Sequence, residues 1–174
     1  ETITDIKHNA FDGCVSLTEM DLPDSLTHIA TDLFAGCTRL ANVSIPDGVT
    51  TIGEGPFRGC VALKNLDLPE SLTYIDSGAF SGCTGLTSIT IPASLTEMNY
   101  NAFYQCVNLR EIIFEGNAPV FSGHPFTGVT ANVYYPAGNS TWTSAVMQNY
   151  GGTLTWIPYT LDENGDMIIN EAAA

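Results

Sequence analysis

The sequence predicts an α/β solenoid of about six 23-residue coils, each with short strands and a short helical turn, closed by an aromatic C-terminal cap. Two residue series and a change of pattern within the unit carry that prediction. Phenylalanines stand at Phe11, Phe34, Phe57, Phe80 and Phe103 and cysteines at Cys14, Cys37, Cys60, Cys83 and Cys106, with the same step throughout both series. A fixed period of this size marks stacked units: one coil cannot hide its own apolar side, so equivalent positions must lie on each other. Within each unit the apolar spacing changes from period two to a helical one.

The first element is a strand. In Leu86-Thr87-Ser88-Ile89-Thr90-Ile91-Pro92, Ile89 and Ile91 alternate with polar neighbours, and the proline, which cannot donate to a ladder, ends the run. Pro23, Pro46 and Pro69 repeat that stop, and a Pro-x-Ser or Pro-x-Gly turn follows. A second short strand, such as Leu72-Thr73-Tyr74-Ile75, leads to the third element, where Ala79, Phe80, Cys83 and Leu86 follow helical spacing. The slot before it holds Asn9, Asp32, Gly55, Gly78, Asn101 or His124, and the next holds Ala10, Leu33, Pro56, Ala79, Ala102 or Pro125. These match the preferences of a helix N-cap and first helical position. Gln105 stands in the column of Gly13, Gly36, Gly59, Gly82 and Gly128, so that slot reads as limiting bulk more than requiring a positive φ.

The sixth unit is degenerate. Phe126 keeps the period, Val129 takes the cysteine slot, and a two-residue deletion aligns Val133, Tyr135 and Pro136. The solenoid is therefore expected over residues 1–136. Residues 137–159 break the repeat and concentrate Trp142, Tyr150, Trp156 and Tyr159, as an end cap would. A short helix over 143–150 and a closing strand over 153–157 are expected there, with an exposed aromatic sugar platform as the alternative. Residues 160–174 read as a tail or a hairpin turning at Asn164-Gly165.

Composition limits the function classes. A net charge of −14 repels nucleic acid and anionic lipid. No apolar run approaches the roughly 20 residues that cross a bilayer, so no direct membrane insertion is expected in this segment. The chain opens Glu1-Thr2-Ile3, without a signal peptide, and its ends read as boundaries within a longer frame.

The unit resembles the BspA-like, or Treponema-type, class of bacterial leucine-rich repeats over about residues 3–136. Ala-Phe, Cys, Leu and the Ile-x-Ile-Pro ending occur together at constant spacing, as in residues 79–92. The departures are Leu33, Pro56 and Pro125 for alanine, Gln105 for glycine and Val129 for cysteine. The resemblance implies a right-handed leucine-rich-repeat solenoid on a secreted or surface-anchored bacterial protein, some relatives acting as adhesins.

No catalytic, cofactor or metal site is expected. The cysteines are a full repeat apart with no second ligand nearby, so they read as a buried thiol ladder; localisation rests on the resemblance. His8 and His28 occupy variable slots, His124 a cap slot, and no serine lies in a nucleophile elbow. Asp162, Asn164 and Asp166 begin like a calcium loop, but Met167 and Ala173 stand where the glycine and bidentate glutamate belong.

Binding is expected on the sheet of Ile-x-Ile strands, whose outward columns are Glu19 and Asp21, Asn42 and Ser44, Asn65 and Asp67, Ser88 and Thr90, and Glu111 and Ile113. This face, taken as the concave one, is polar and mildly acidic. The expected partner is a protein or glycan of a host or neighbouring bacterium; a stalk that merely spaces another domain is the alternative. Six strands at about 4.8 Å, each about 17 Å long, give roughly 500 Å², below the roughly 800 Å² per partner of a standard interface. The first coil has no cap, so upstream repeats or self-association are expected to cover its edge.

Overall fold

The computed structural model describes residues 2–169. The coils repeat a first strand, a turn, a second strand and a compact run of turns, except that the first-strand position of the third coil, 65–67, forms only a bridge from Asn65 to Asn42. The first strands are β1 (Glu19–Asp21), β3 (Asn42–Ser44), β6 (Ser88–Ile91), β8 (Glu111–Phe114) and β10 (Thr130–Pro136). The second strands are β2 (His28–Ile29), β4 (Thr51–Ile52), β5 (Tyr74–Ile75), β7 (Glu97–Met98) and β9 (Val120–Phe121). At the C-terminal end β11 (Thr153–Leu161) and β12 (Met167–Ile169) complete the chain.

All second strands form one parallel sheet, β2-β4-β5-β7-β9, in which Ile29, Ile52, Ile75 and Met98 stack in register. First strands form a pair, β1-β3, and a second group, β6-β8-β10-β11-β12. One apolar core lies inside the coils, and Phe34, Phe57, Phe80, Phe103 and Phe126 are wholly inaccessible within it. Their rings stack face to face from Phe11 to Phe126 at centroid spacings of 5.0–5.8 Å. The expected solenoid of about six coils with an aromatic end is what the chain forms. Asn132 pairs with Glu111, where the regular period would have brought Tyr134, and this offset is the two-residue deletion read from the sixth unit.

The expected helical turn is absent among the described residues, and the hydrogen bonds give the reason. On the third side of each coil, alternate N–H groups donate to the next coil: Asn9 to Thr31, Phe11 to Leu33 and Gly13 to Ala35. Those between donate three residues back, Asp12 to Asn9 and Cys14 to Phe11. An α-helix needs every N–H for its own ladder; here half are used between coils. The proposed N-cap slot is instead left-handed: Asn9 (φ 60°), Asp32 (51°), Gly55 (63°), Gly78 (64°) and Asn101 (58°), with Gly123 rather than His124 in the sixth coil. An N-cap has extended φ/ψ, so the capping assignment fails. Pro56 and Pro125 are tolerated in the next slot because its carbonyl is what matters, accepting from Phe34 and Phe103 at 2.8 Å.

A second correction concerns the glycine column. Gly13, Gly36, Gly59, Gly82 and Gly128 all have φ between 68° and 83°, and Gln105 itself sits at 56°. A Cβ on Gly36 would lie 3.8 Å from Gly13, ordinary contact. Positive φ, and not bulk, is the constraint.

The cap is aromatic, as expected, but has no helix. Met147 N–H to Thr143 is the one bond of helical reach in 143–150, a segment too short to nucleate against its own cost. Trp142 is buried, donates its Nε1–H to Gly116 O at 3.0 Å and packs on Phe114 and Trp156. Phe121 and Tyr150 join the same cluster. Closely packed rings of this kind form a lid, not a platform. The closing strand is longer than the expected 153–157: β11 lies parallel to β10 with Thr153 opposite Thr130, again one full period on, and so makes a seventh rung. β12 then turns back antiparallel on β11, giving the hairpin; residues 170–174 of the expected tail lie outside the described residues. Asp162 Oδ1 accepts the N–H groups of Asn164 and Asp166, so this oxygen of the would-be calcium loop caps the hairpin turn.

Candidate binding surface

The ten residues expected to face outward are arranged by the first strands into two columns. Glu19 stands opposite Asn42 and Asp21 opposite Ser44; Ser88 stands opposite Glu111 and Thr90 opposite Ile113. Asn42 is bridged to Asn65. Nine of these side chains are exposed and Ile113 is half-buried. The alternation responsible is visible in β6, where Ser88 and Thr90 are exposed while Ile89 and Ile91 are buried. Beyond β8 the columns continue through residues the sequence did not single out, Asn132 and Tyr134 on β10, then Thr155 and Ile157 on β11. The second column thus passes from Asp21, Ser44 and Asp67 to Ile113, Tyr134 and Ile157, acidic and polar at one end, apolar at the other.

The sheet is not continuous. No ladder joins 65–67 to β6, although the same two coils are joined on the second sheet by Thr51 and Tyr74 and in the core by Phe57 and Phe80, 5.4 Å apart. Immediately before the opening the coils are in tight contact, since a Cβ on Gly85 would lie 2.6 Å from Val61 O. The opening is therefore confined to the strands themselves. It forms a cleft of about 400 Å³ whose walls include Asn65, Asp67, Ser88 and Thr90, four of the ten expected residues, together with Lys64, Glu70 and Glu115. Partial burial, then the nearby charge of Glu70, pushes the Glu115 carboxyl above its usual range. Lys64, Glu70 and Glu115 were not legible as site residues, because each lies outside the Ile-x-Ile alternation that identifies the columns.

The histidines are scattered. His8 and His124 are exposed, and His28 Nε2 lies 3.5 Å from Asp5 Oδ1. Among the described residues no three His, Cys, Asp or Glu side chains converge as metal ligands would. At the N-terminal edge Phe11, Cys14 and Leu17 are half-buried, whereas Phe34, Cys37 and Leu40 above them are wholly buried.

The repeats match the family described as BspA type leucine rich repeat region in six copies over residues 4–132. The chain belongs to the BspA-type leucine-rich-repeat family. A T. pallidum leucine rich repeat protein is 31% identical, with a TM-score of 0.66 over 72% of this chain and 70% of that one. A leucine rich cell surface protein of Faecalibacterium prausnitzii shares the fold at 22% identity and a TM-score of 0.52, over 76% of this chain and 45% of that one. The BspA-type chain thus spans under half of the second protein. No curated protein gives a significant match. Among the described residues no helix is long and apolar enough to cross a membrane.

Proposed function

We propose that this BspA-type solenoid is an extracellular interaction or adhesion module of a bacterial surface protein, binding a host or bacterial macromolecule through the face of its first strands. The observation that supports the reading is the cleft between the third and fourth coils, which gathers four of the ten expected residues and backs them with Glu70 and Glu115. Ligand sites are concavities with a few convergent polar groups. Three carboxylates against one Lys64 in this cleft favour a basic partner surface and contribute to encounter rate more than to affinity. Placement outside the cell is supported by the family and by its likeness to the F. prausnitzii cell surface protein.

The test is a binding screen of the purified chain against immobilised matrix proteins and glycans, with Asp21→Lys, Asp67→Lys and Glu111→Lys beside the wild type. Loss of binding in the substituted chains, with unchanged circular dichroism, is the expected outcome. Undiminished binding rejects this face. The half-buried Phe11 edge is proposed as a surface for self-association, read by sedimentation at rising concentration: association weakened by Phe11→Glu is expected, and a monomer at all concentrations rejects it.

A further inference from the structure

The third side of the solenoid carries a second cleft, of about 240 Å³, remote in composition from the first. Three successive coils place their residues in register there. The third coil contributes Glu54, Gly55 and Arg58, the fourth Ser77, Gly78 and Ser81, and the fifth Tyr100 and Asn101, the columns stepping by one period of the repeat. Backbone bonds lock the rows together: Gly55 N–H to Ser77 O and Gly78 N–H to Tyr100 O at 3.1 and 3.0 Å, then Gly59 N–H to Ser81 O and Gly82 N–H to Tyr104 O at 2.8 and 2.7 Å. The middle row is small, so it forms a floor. One wall is charged and the other aromatic.

Both walls are positioned by packing. Arg58 Nη2 lies 3.0 Å from Asp32 Oδ1, an ion pair without an aligned N–H, which holds the guanidinium at the rim. A Cβ on Gly123 would fall 2.3 Å from the Tyr100 ring, so the ring rests on the bare backbone of the coil beyond it, and the residue as a whole is 53% exposed. Tyr104, on the same row, is 39% exposed. Tyrosines this exposed are unusual in a chain whose phenylalanines and Trp142 are buried or half-buried.

We propose that this cleft binds a neutral sugar residue of a glycan. A pyranose has an apolar CH face and a rim of hydroxyls; a tyrosine ring supplies a flat apolar surface with a polar edge, and Glu54, Arg58, Ser77, Ser81 and Asn101 supply acceptors and donors around it. The backbone amides of Gly55 and Gly78 are already used between coils, which leaves no free edge for an extended peptide to pair with. With Arg58 neutralised by Asp32, Glu54 unpaired among the described residues and the chain at −14, an anionic ligand is repelled.

Saturation-transfer NMR of the chain with glucose, galactose, mannose, N-acetylglucosamine and lactose tests this. Transfer to at least one of these is expected, with affinity reduced at least tenfold in Tyr100→Ser and in the pair Ser77→Glu with Ser81→Arg. Those two fillings use residues that the third coil already carries in the same slots, so they preserve the fold. Absence of transfer to every sugar, or transfer that survives both variants, overturns the proposal. Asp67→Lys, in the other cleft, leaves sugar transfer unchanged, which separates this site from the face proposed for macromolecules.

Discussion

Each buried cysteine of the ladder donates its thiol proton to the phenylalanine carbonyl of the coil below: Cys37 to Phe11, Cys60 to Phe34, Cys83 to Phe57 and Cys106 to Phe80, at 3.0–3.2 Å. The thiol is thus a core residue with a weak donor, suited to a slot where a second acceptor bond is open. Burial pushes Cys60 and Cys106 up to about 12. A thiol so raised stays protonated and unreactive at neutral pH. In alkylation of the native chain, half-buried Cys14 is expected to react, while the other four react only after unfolding; fast modification of all five contradicts the ladder. Because the folded value lies above the unfolded one, the stability these thiols contribute is complete below about pH 9 and lost as pH rises toward 12. Denaturant midpoints are expected to fall over that window, and less so in Cys60→Val. Gln105 gives another residue-scale prediction. A left-handed residue costs about 1–2 kcal/mol and a glycine roughly 0.5–1 kcal/mol in chain entropy, so Gln105→Gly is expected to stabilise by about 0.5–1 kcal/mol in urea titration.

At the scale of elements, strands were legible and the third side was not. Alternation such as Ser88-Ile89-Thr90-Ile91 shows directly which side chains face in, because a strand has two faces and the sequence labels both. The spacing of Ala79, Phe80, Cys83 and Leu86 reads as helical because a chain of tight turns also brings every third or fourth residue inward. What separates the two is the destination of alternate N–H groups, and that depends on the neighbouring coil. The same non-local dependence hid both clefts: the columns were readable, whereas the missing pairing between 65–67 and β6 was not. Phe80, stacked 5.4 Å from Phe57 and 5.0 Å from Phe103, fills such an inward position, and Phe80→Ala is expected to cost about 3–5 kcal/mol. Trp142→Ala is expected to cost a similar amount, since it removes the ring lying 4.9 Å from Phe114 and opens the end of the core. Thermal unfolding measures both, and dye binding to newly exposed apolar surface accompanies the second.

For the whole molecule, a stack of nearly identical coils divides the work among its sides. The interior provides continuous phenylalanine and leucine rows, which leaves outward slots free to vary without loss of the fold. Both clefts lie on the third to fifth coils, with Lys64, Asp67, Glu70 and Glu115 at one and Arg58 and Tyr100 at the other. The net charge of −14 is strongly one-sided in sign, so the binding proposed for a basic partner on the first-strand face is expected to weaken with added salt, the Debye length being roughly 8–10 Å at physiological ionic strength. Hydrogen exchange of the chain, free and bound to the matrix protein retained in the screen, tests the central claim most directly. The account predicts slowed amides in 64–70 and 86–92, flanking the cleft between the third and fourth coils. Unchanged exchange there, with slowing confined to the third side or found nowhere, would contradict it.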